Sequence, residues 1–178
     1  MSLVFATLVA GIFLLILGLA LILYPAPVRN ALTAFPRSRT AAFVLLVAAT
    51  GLVLFNVSKL GEADFGKYKN ILFAFFLMLS IGAWFRVPDF LGIRALSVLG
   101  LILAGQFLAA AYLQLPTTRL FLVVFSYVIV LLSLYLAASP YRFRDAVARF
   151  NSSNGIRQIT GGSLAVYGII LCVMPLTY

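Results

Sequence analysis

The chain alternates between long apolar runs and short polar segments. Six uncharged runs cover residues 3–24, 40–58, 70–85, 95–118, 120–141 and 158–178. A helix needs about 20 apolar residues to cross the hydrocarbon core of a bilayer. The third run is the shortest, but flanking lysine and arginine side chains can extend it by reaching towards the interface. The pattern predicts an all-α integral membrane protein with six transmembrane helices in one domain, residues 1–178.

The composition favours lipid as the main solvent of this chain. Of its 178 residues, 64% are hydrophobic and only 10% are charged, whereas a soluble domain carries about 25% charged residues. The net charge of +9 would suggest nucleic acid in a soluble protein. In a membrane protein, basic residues beside apolar spans set the orientation and contact anionic lipid. We therefore expect lipid headgroups as partners of these basic residues, and no nucleic acid.

The segments between the spans fall into two sets with different charge. Residues 26–39, 86–94 and 142–157 connect the spans on one side, and residues 59–69 and 116–119 connect them on the other. The first set carries Arg29, Arg37, Arg39, Arg86, Arg94, Arg142, Arg144, Arg149 and Arg157, and the second set carries Lys59, Lys67, Lys69 and Arg119. Since basic residues concentrate on the cytoplasmic side, the sequence predicts a multi-pass protein of the inner (cytoplasmic) membrane with both termini outside.

Two of the arginine-bearing connectors share a sequence pattern. The residues Pro25, Arg29, Asn30, Ala31 and Phe35 match Pro140, Arg144, Asp145, Ala146 and Phe150 at a constant offset. Each copy follows one long apolar run and precedes another. Similarity at a fixed period indicates repeated structural units, so we expect residues 3–60 and 118–178 to be an internal repeat. The alternative is that a proline followed by a basic turn is simply common where helices leave a membrane.

Both matched connectors are predicted to form short amphipathic helices at the membrane surface. The apolar positions 28, 32 and 35 in the first connector, and 143, 147 and 150 in the second, follow helical spacing. A basic face opposite an apolar face suits the headgroup boundary. The predicted fold is therefore three hairpins with interfacial helices on the cytoplasmic side. The residues expected to contact headgroups there are Arg29, Arg37, Arg39, Arg142, Arg144, Arg149 and Arg157.

The spans contain few groups that could carry out chemistry. The chain has no histidine and one cysteine, and the uncharged runs hold no acid or base that could relay protons. Asp145 is expected to pair with Arg149, four residues later on the same helix. We therefore assign no catalytic, cofactor-binding or metal-ligating residue, and we expect a protein that is not an enzyme.

A few residues within the spans are polar or small. Asn56, Gln106 and Tyr127 could line a cavity, or they could form hydrogen bonds and contacts between helices. Small residues four positions apart, such as Gly161 and Ala165, could let two helices approach closely. The same spacing relates Gly100 to Ala104 and Gly105 to Ala109.

The leading functional interpretation is a small structural or accessory subunit of a membrane protein complex, in contact with partner helices or with further copies of itself. A small homo-oligomeric transporter or channel is the alternative, and a lipid- or quinone-binding component is a third. All three remain open at this point, because the sequence carries no motif that separates them.

Overall fold

The computed structural model describes residues 2–61, 65–86 and 89–178, and within these ranges the chain is helical and contains no strand. Parts of two connectors, residues 62–64 and 87–88, lie outside the described residues. The helices are α1 (Leu3–Leu23), α2 (Pro25–Ala34), α3 (Arg39–Ser58), α4 (Lys69–Arg86), α5 (Leu91–Ala111), α6 (Leu120–Ala138), α7 (Tyr141–Ser152) and α8 (Asn154–Val173). All except α2 and α7 are long and apolar enough to cross a membrane. The predicted multi-pass helical class and the six spans are confirmed.

Local sequence signals explain where several of these helices begin. Ser2, Ser38 and Ser153 each accept a hydrogen bond from a backbone N–H in the first turn of α1, α3 and α8. A serine at this position satisfies a donor that the helix itself leaves unpaired. Pro25 begins α2, where its missing N–H costs nothing and its fixed φ suits the helix.

Four spanning helices carry a charged residue in their first turn: Arg39 and Lys69 begin α3 and α4, and two other helices start earlier than predicted. α5 begins at Leu91 and α8 at Asn154, several residues before the predicted runs, so Arg94 and Arg157 lie in their first turns. Long arginine side chains tolerate this position because the guanidinium can reach the interface while the stem stays in apolar surroundings. α5 also ends at Ala111 instead of continuing to residue 118.

The most extensive helix contact joins α1 to α8. A Cβ built on Gly18 would lie 2.6 Å from the backbone nitrogen of Ala165 and 2.6 Å from the carbonyl oxygen of Gly161. One on Gly168 would lie 2.7 Å from the backbone nitrogen of Leu15. Backbone therefore meets backbone along an antiparallel seam, as small residues permit in membranes. The predicted role of Gly161 and Ala165 is confirmed.

The two candidate pairs on α5 differ in their surroundings. Gly100 contacts the side chain of Ser133 on α6, and Ala104 is fully buried, so this pair does lie at a helix contact. Gly105 has open space where a side chain would stand, and Ala109 is exposed. The second pair therefore faces outward in the described chain.

The remaining contacts build a bundle whose centre is α5. After α1–α8, the most extensive contacts are α5–α6, α3–α5 and α3–α4. The three-hairpin arrangement is not confirmed, since two of these four contacts join helices that do not follow each other in the chain. The main core lies towards the chain termini, where the side-chain hydroxyls of Thr7 and Tyr178 are 3.2 Å apart. α4 lies at the edge of the bundle beside α3.

Candidate functional site

All three arginine-bearing connectors meet at the end of the bundle opposite the termini. α2 contacts α7, and the rings of Phe35 and Phe143 lie 5.7 Å apart at 58°. On α7, Val147 is buried and Phe143 and Phe150 are half-buried, while the arginines of that helix are exposed. The apolar positions predicted for one face of α7 therefore face the protein.

Between these connectors lies a cavity of about 580 Å³, which we call the arginine cavity. Its basic lining comes from Arg37, Arg39 and Arg144, and its one acidic residue is Asp89. Its apolar walls include Leu32, Phe90 and Val147. The volume is within the usual range of about 300–1,000 Å³ for ligand pockets. Three guanidinium groups against one carboxylate give the cavity an excess of positive charge, which favours anions.

Among the described residues, one ion pair with an acidic side chain involves an arginine at this end. The Nε atom of Arg144 lies 3.7 Å from Oδ1 of Asp145. The predicted pairing of Asp145 with Arg149 is therefore wrong, and the adjacent Arg144 is the partner. Both side chains are well exposed, and exposed pairs of this kind contribute little to stability. Arg144 therefore remains available to a stronger anionic ligand.

A strained residue forms one wall of the arginine cavity. Phe90 has φ 57° and ψ 20°, the left-handed conformation, directly before α5. Such a conformation costs a non-glycine residue about 1 kcal/mol or more, and strained residues cluster at ligand sites. Phe90 and the preceding Asp89 both belong to the lining of the cavity.

A second cavity, of about 320 Å³, lies beside the first and shares Pro36, Arg37 and Arg39 with it. It continues past Trp84 and Phe85 at the end of α4. The same two aromatic residues line an apolar groove of about 460 Å³ between α3 and α4. This α3–α4 groove also contains Phe43, Gly51, Leu54 and Leu77. Shared lining residues thus link the basic cavity to an apolar groove that follows the spans.

On the other side of the α3–α4 contact lies a cleft of about 290 Å³ that is lined by α3, α4 and α5, and we call it the α4–α5 cleft. Its lining includes the small residues Ala49, Ala83 and Ala95, with Leu79 from α4 and Arg94 at the start of α5. α4 is therefore open on both sides, although it keeps its contact with α3.

Two contacts between side chains hold α4 against α3. The ring of Phe43 lies 5.5 Å from that of Trp84 at 74°. The hydroxyl oxygens of Thr50 and Ser80 are 2.6 Å apart. Since Thr50 donates to the carbonyl oxygen of Leu46 at 2.8 Å, Ser80 is the donor to Thr50. Each of the two hydroxyl hydrogens therefore has an acceptor, and neither hydroxyl presents a free donor to the space between the helices.

The seven arginines predicted to contact headgroups separate into three groups. Arg37, Arg39 and Arg144 line the arginine cavity, and Arg29, Arg142 and Arg149 are exposed outside its lining. The neighbouring Tyr141 raises the pKa of Arg142, whose guanidinium lies 5.5 Å from the centre of the tyrosine ring. Arg157 is half-buried, and its Nε atom has no hydrogen-bond partner among the described residues.

The polar residues proposed for a cavity within the spans are not brought together in any of these four cavities. Asn56 donates to the carbonyl oxygen of Leu52 on its own helix at 2.9 Å. Gln106 and Tyr127 are exposed on α5 and α6. Their proposed roles therefore stay predictions.

Sequence reasoning missed the aromatic part of this region, Trp84, Phe85 and Phe90. The signal was present in part, because Trp84 is the only tryptophan and stands next to a charged connector, where membrane proteins concentrate tryptophan. The comparisons of this chain with family models, with curated proteins and with solved structures give no match. Its function is therefore argued from the geometry of its sites.

Proposed function

We propose that this chain is a small non-enzymatic accessory subunit of a membrane protein complex, which packs against partner helices and lipid. The observation that carries the proposal is the position of α4. None of the residues of α4, all of them described, is buried, and its extensive contact with another spanning helix is with α3. Helices in lipid associate through close packing and hydrogen bonds. A helix with one main neighbour leaves most of its packing surface for others.

The α4–α5 cleft is the surface best suited to a partner helix. Ala83 of α4 is half-buried in this lining and places little side-chain bulk towards an incoming backbone, and small residues are what helix contacts in membranes require. A helix seated there would touch α3, α4 and α5 together. It would convert α4 from an edge helix into an interior one.

Photo-crosslinking from α4 tests the proposal directly. A photoreactive amino acid replaces Leu79, which lines the cleft, and a matched variant replaces Leu132 on α6. Both leucines are 56% exposed, so they differ in location and not in accessibility. Crosslinking in native membranes, followed by mass spectrometry, should capture a different membrane protein from position 79 and not from position 132.

Two outcomes would contradict the accessory role. Crosslinks from position 79 only to lipid would leave α4 without a protein partner. Crosslinks only to a second copy, together with solute flux in liposomes, would favour the small transporter instead.

We further propose that the arginine end faces the cytoplasm in an inner membrane and that α2 and α7 lie at its surface. The excess of arginine at that end supports the orientation. The inward apolar face and exposed arginines of α7 support the interfacial position. In a Cys172→Ala background, a membrane-impermeant thiol reagent should label Lys67→Cys from outside and Arg149→Cys only after the membrane is opened. The reverse order would overturn the orientation.

A further inference from the structure

We propose that the arginine cavity and the α3–α4 groove form one binding site for a single anionic phospholipid. The lipid phosphate lies against Arg37, Arg39 and Arg144, and one acyl chain lies in the groove. The inference deepens the lipid-binding part of the proposed function and does not depend on a protein partner.

The charge at the mouth of the groove identifies the headgroup as anionic. Three arginines line the cavity, and guanidinium groups bind phosphate through paired, charge-assisted hydrogen bonds. A zwitterionic headgroup would bring its own cation next to them. Asp89 contributes a negative charge to the same lining, and this charge lowers the affinity for an anionic headgroup. A neutral residue in place of Asp89 should therefore raise that affinity.

The second cavity provides the connection between phosphate and acyl chain. It contains Arg37 and Arg39 at one end and Trp84 and Phe85 at the other. Tryptophan suits the boundary between headgroups and hydrocarbon. The lipid glycerol region would lie at this point, between the charged cavity and the apolar groove.

The dimensions of the groove match one acyl chain in one leaflet. Its lining on α3 runs from Phe43 to Leu54, which spans about 16 Å at ~1.5 Å per residue. Half of the hydrocarbon core of a bilayer is about 15 Å thick. The hydroxyls of Thr50 and Ser80 bond to each other, so they present no unsatisfied donor to a hydrocarbon chain.

Native mass spectrometry of the purified chain in detergent tests this site without any partner protein. The probes are dioleoyl phosphatidylglycerol, dioleoyl phosphatidylcholine and inorganic phosphate. We expect the wild type to bind one phosphatidylglycerol at least about tenfold more tightly than phosphatidylcholine, as expected for a charge-assisted hydrogen-bonded site. If phosphatidylglycerol shows no preference, the lipid site is wrong, but the crosslinking experiment at position 79 still tests the accessory role independently.

Headgroup variants separate a defined site from a diffuse basic rim. The double variant Arg39→Gln with Arg144→Gln should lower phosphatidylglycerol affinity by about tenfold or more. Arg149→Gln removes an equal charge per substitution from the same helix, outside the cavity lining, and should change the affinity less than twofold. Asp89→Asn should raise the affinity. The proposed site would be overturned if Arg144→Gln and Arg149→Gln lowered the phosphatidylglycerol affinity equally, or if none of these substitutions changed it.

Groove variants separate a lipid from free phosphate. Gly51 and Gly82 both have open space where a side chain would stand, but only Gly51 lines the groove. Gly51→Leu should therefore weaken phosphatidylglycerol binding several-fold, while Gly82→Leu should not. Neither should affect binding of inorganic phosphate. If inorganic phosphate binds as tightly as the lipid and Gly51→Leu has no effect on either, the acyl-chain half of the proposal is wrong.

Discussion

The rings of Phe35 and Phe143 pack against each other across two connectors that are more than 100 positions apart in the chain, with centroids 5.7 Å apart. This contact ties the end of α2 to α7, and so it holds together two walls of the arginine cavity. Tilted aromatic pairs contribute about 0.5–1.5 kcal/mol beyond the area they bury.

A double-mutant cycle of Phe35→Leu and Phe143→Leu measures that coupling. Each single variant should lower the unfolding free energy, and the pair should lose about 1 kcal/mol less than the two single losses added. Thermal unfolding in detergent supplies the readout. Strict additivity would mean that the two connectors are held by other contacts.

The glycine seam predicts a large effect from a very small substitution. Gly18→Ala places a Cβ 2.6 Å from backbone atoms of α8, and backbone cannot move aside as a side chain can. We expect a loss of about 1–3 kcal/mol in unfolding free energy. The matched control is Gly162→Ala on α8, where nothing lies within 4 Å of the new Cβ. A loss as large in the control would show that helix flexibility, and not packing, is responsible.

The attachment of α4 should depend partly on one hydrogen bond. Thr50→Val and Ser80→Ala each remove the contact between hydroxyl oxygens 2.6 Å apart. Hydrogen bonds between membrane helices contribute about 0.6 kcal/mol on average, so we expect a coupling energy of that order in a double-mutant cycle. The variants should also increase cysteine accessibility along α4. No change in accessibility would indicate that the remaining contacts suffice, namely the aromatic pair Phe43–Trp84 and the hydrogen bond from Lys69 to the carbonyl oxygen of Ser58.

The end of α5 offers a site where glycine should stabilise the protein. Leu113 has φ 55° and follows the helix end, a position where glycine is preferred. It is 78% exposed, so little packing is lost. Leu113→Gly relieves the strain of the left-handed conformation, and the greater backbone entropy of glycine in the unfolded chain offsets part of this gain. We expect the unfolding free energy to rise by about 0.5–1 kcal/mol.

The nearby Leu115 provides the control for this substitution. It is 97% exposed and does not have a positive φ. Leu115→Gly therefore adds the conformational entropy cost of ordering a glycine without relieving strain. It should lower the unfolding free energy by about 0.5 kcal/mol. A melting temperature that falls equally in both variants would contradict the strain argument.

The sequence alone was sufficient for the number of spans and for grouping the arginine-bearing connectors at one end of the bundle. The thickness of a bilayer requires apolar runs of a certain length, and these runs are visible without any knowledge of their neighbours. The serines at positions 2, 38 and 153 also signal helix starts locally, because capping involves residues only two or three positions away. Helix ends were less predictable, as Arg94 and Arg157 show, since a long side chain can place its charge away from its own backbone.

Which helices touch, and which arginines form a site, was decided only by the tertiary structure. A helix in lipid is apolar on all sides, so its hydrophobic pattern does not reveal the face that meets another helix. The antiparallel pairing of α1 with α8 follows from glycines more than 140 positions apart, such as Gly18 and Gly161. Likewise, seven arginines looked equivalent along the chain. The fold separates Arg37, Arg39 and Arg144 from the rest, because it brings three connectors together around one cavity.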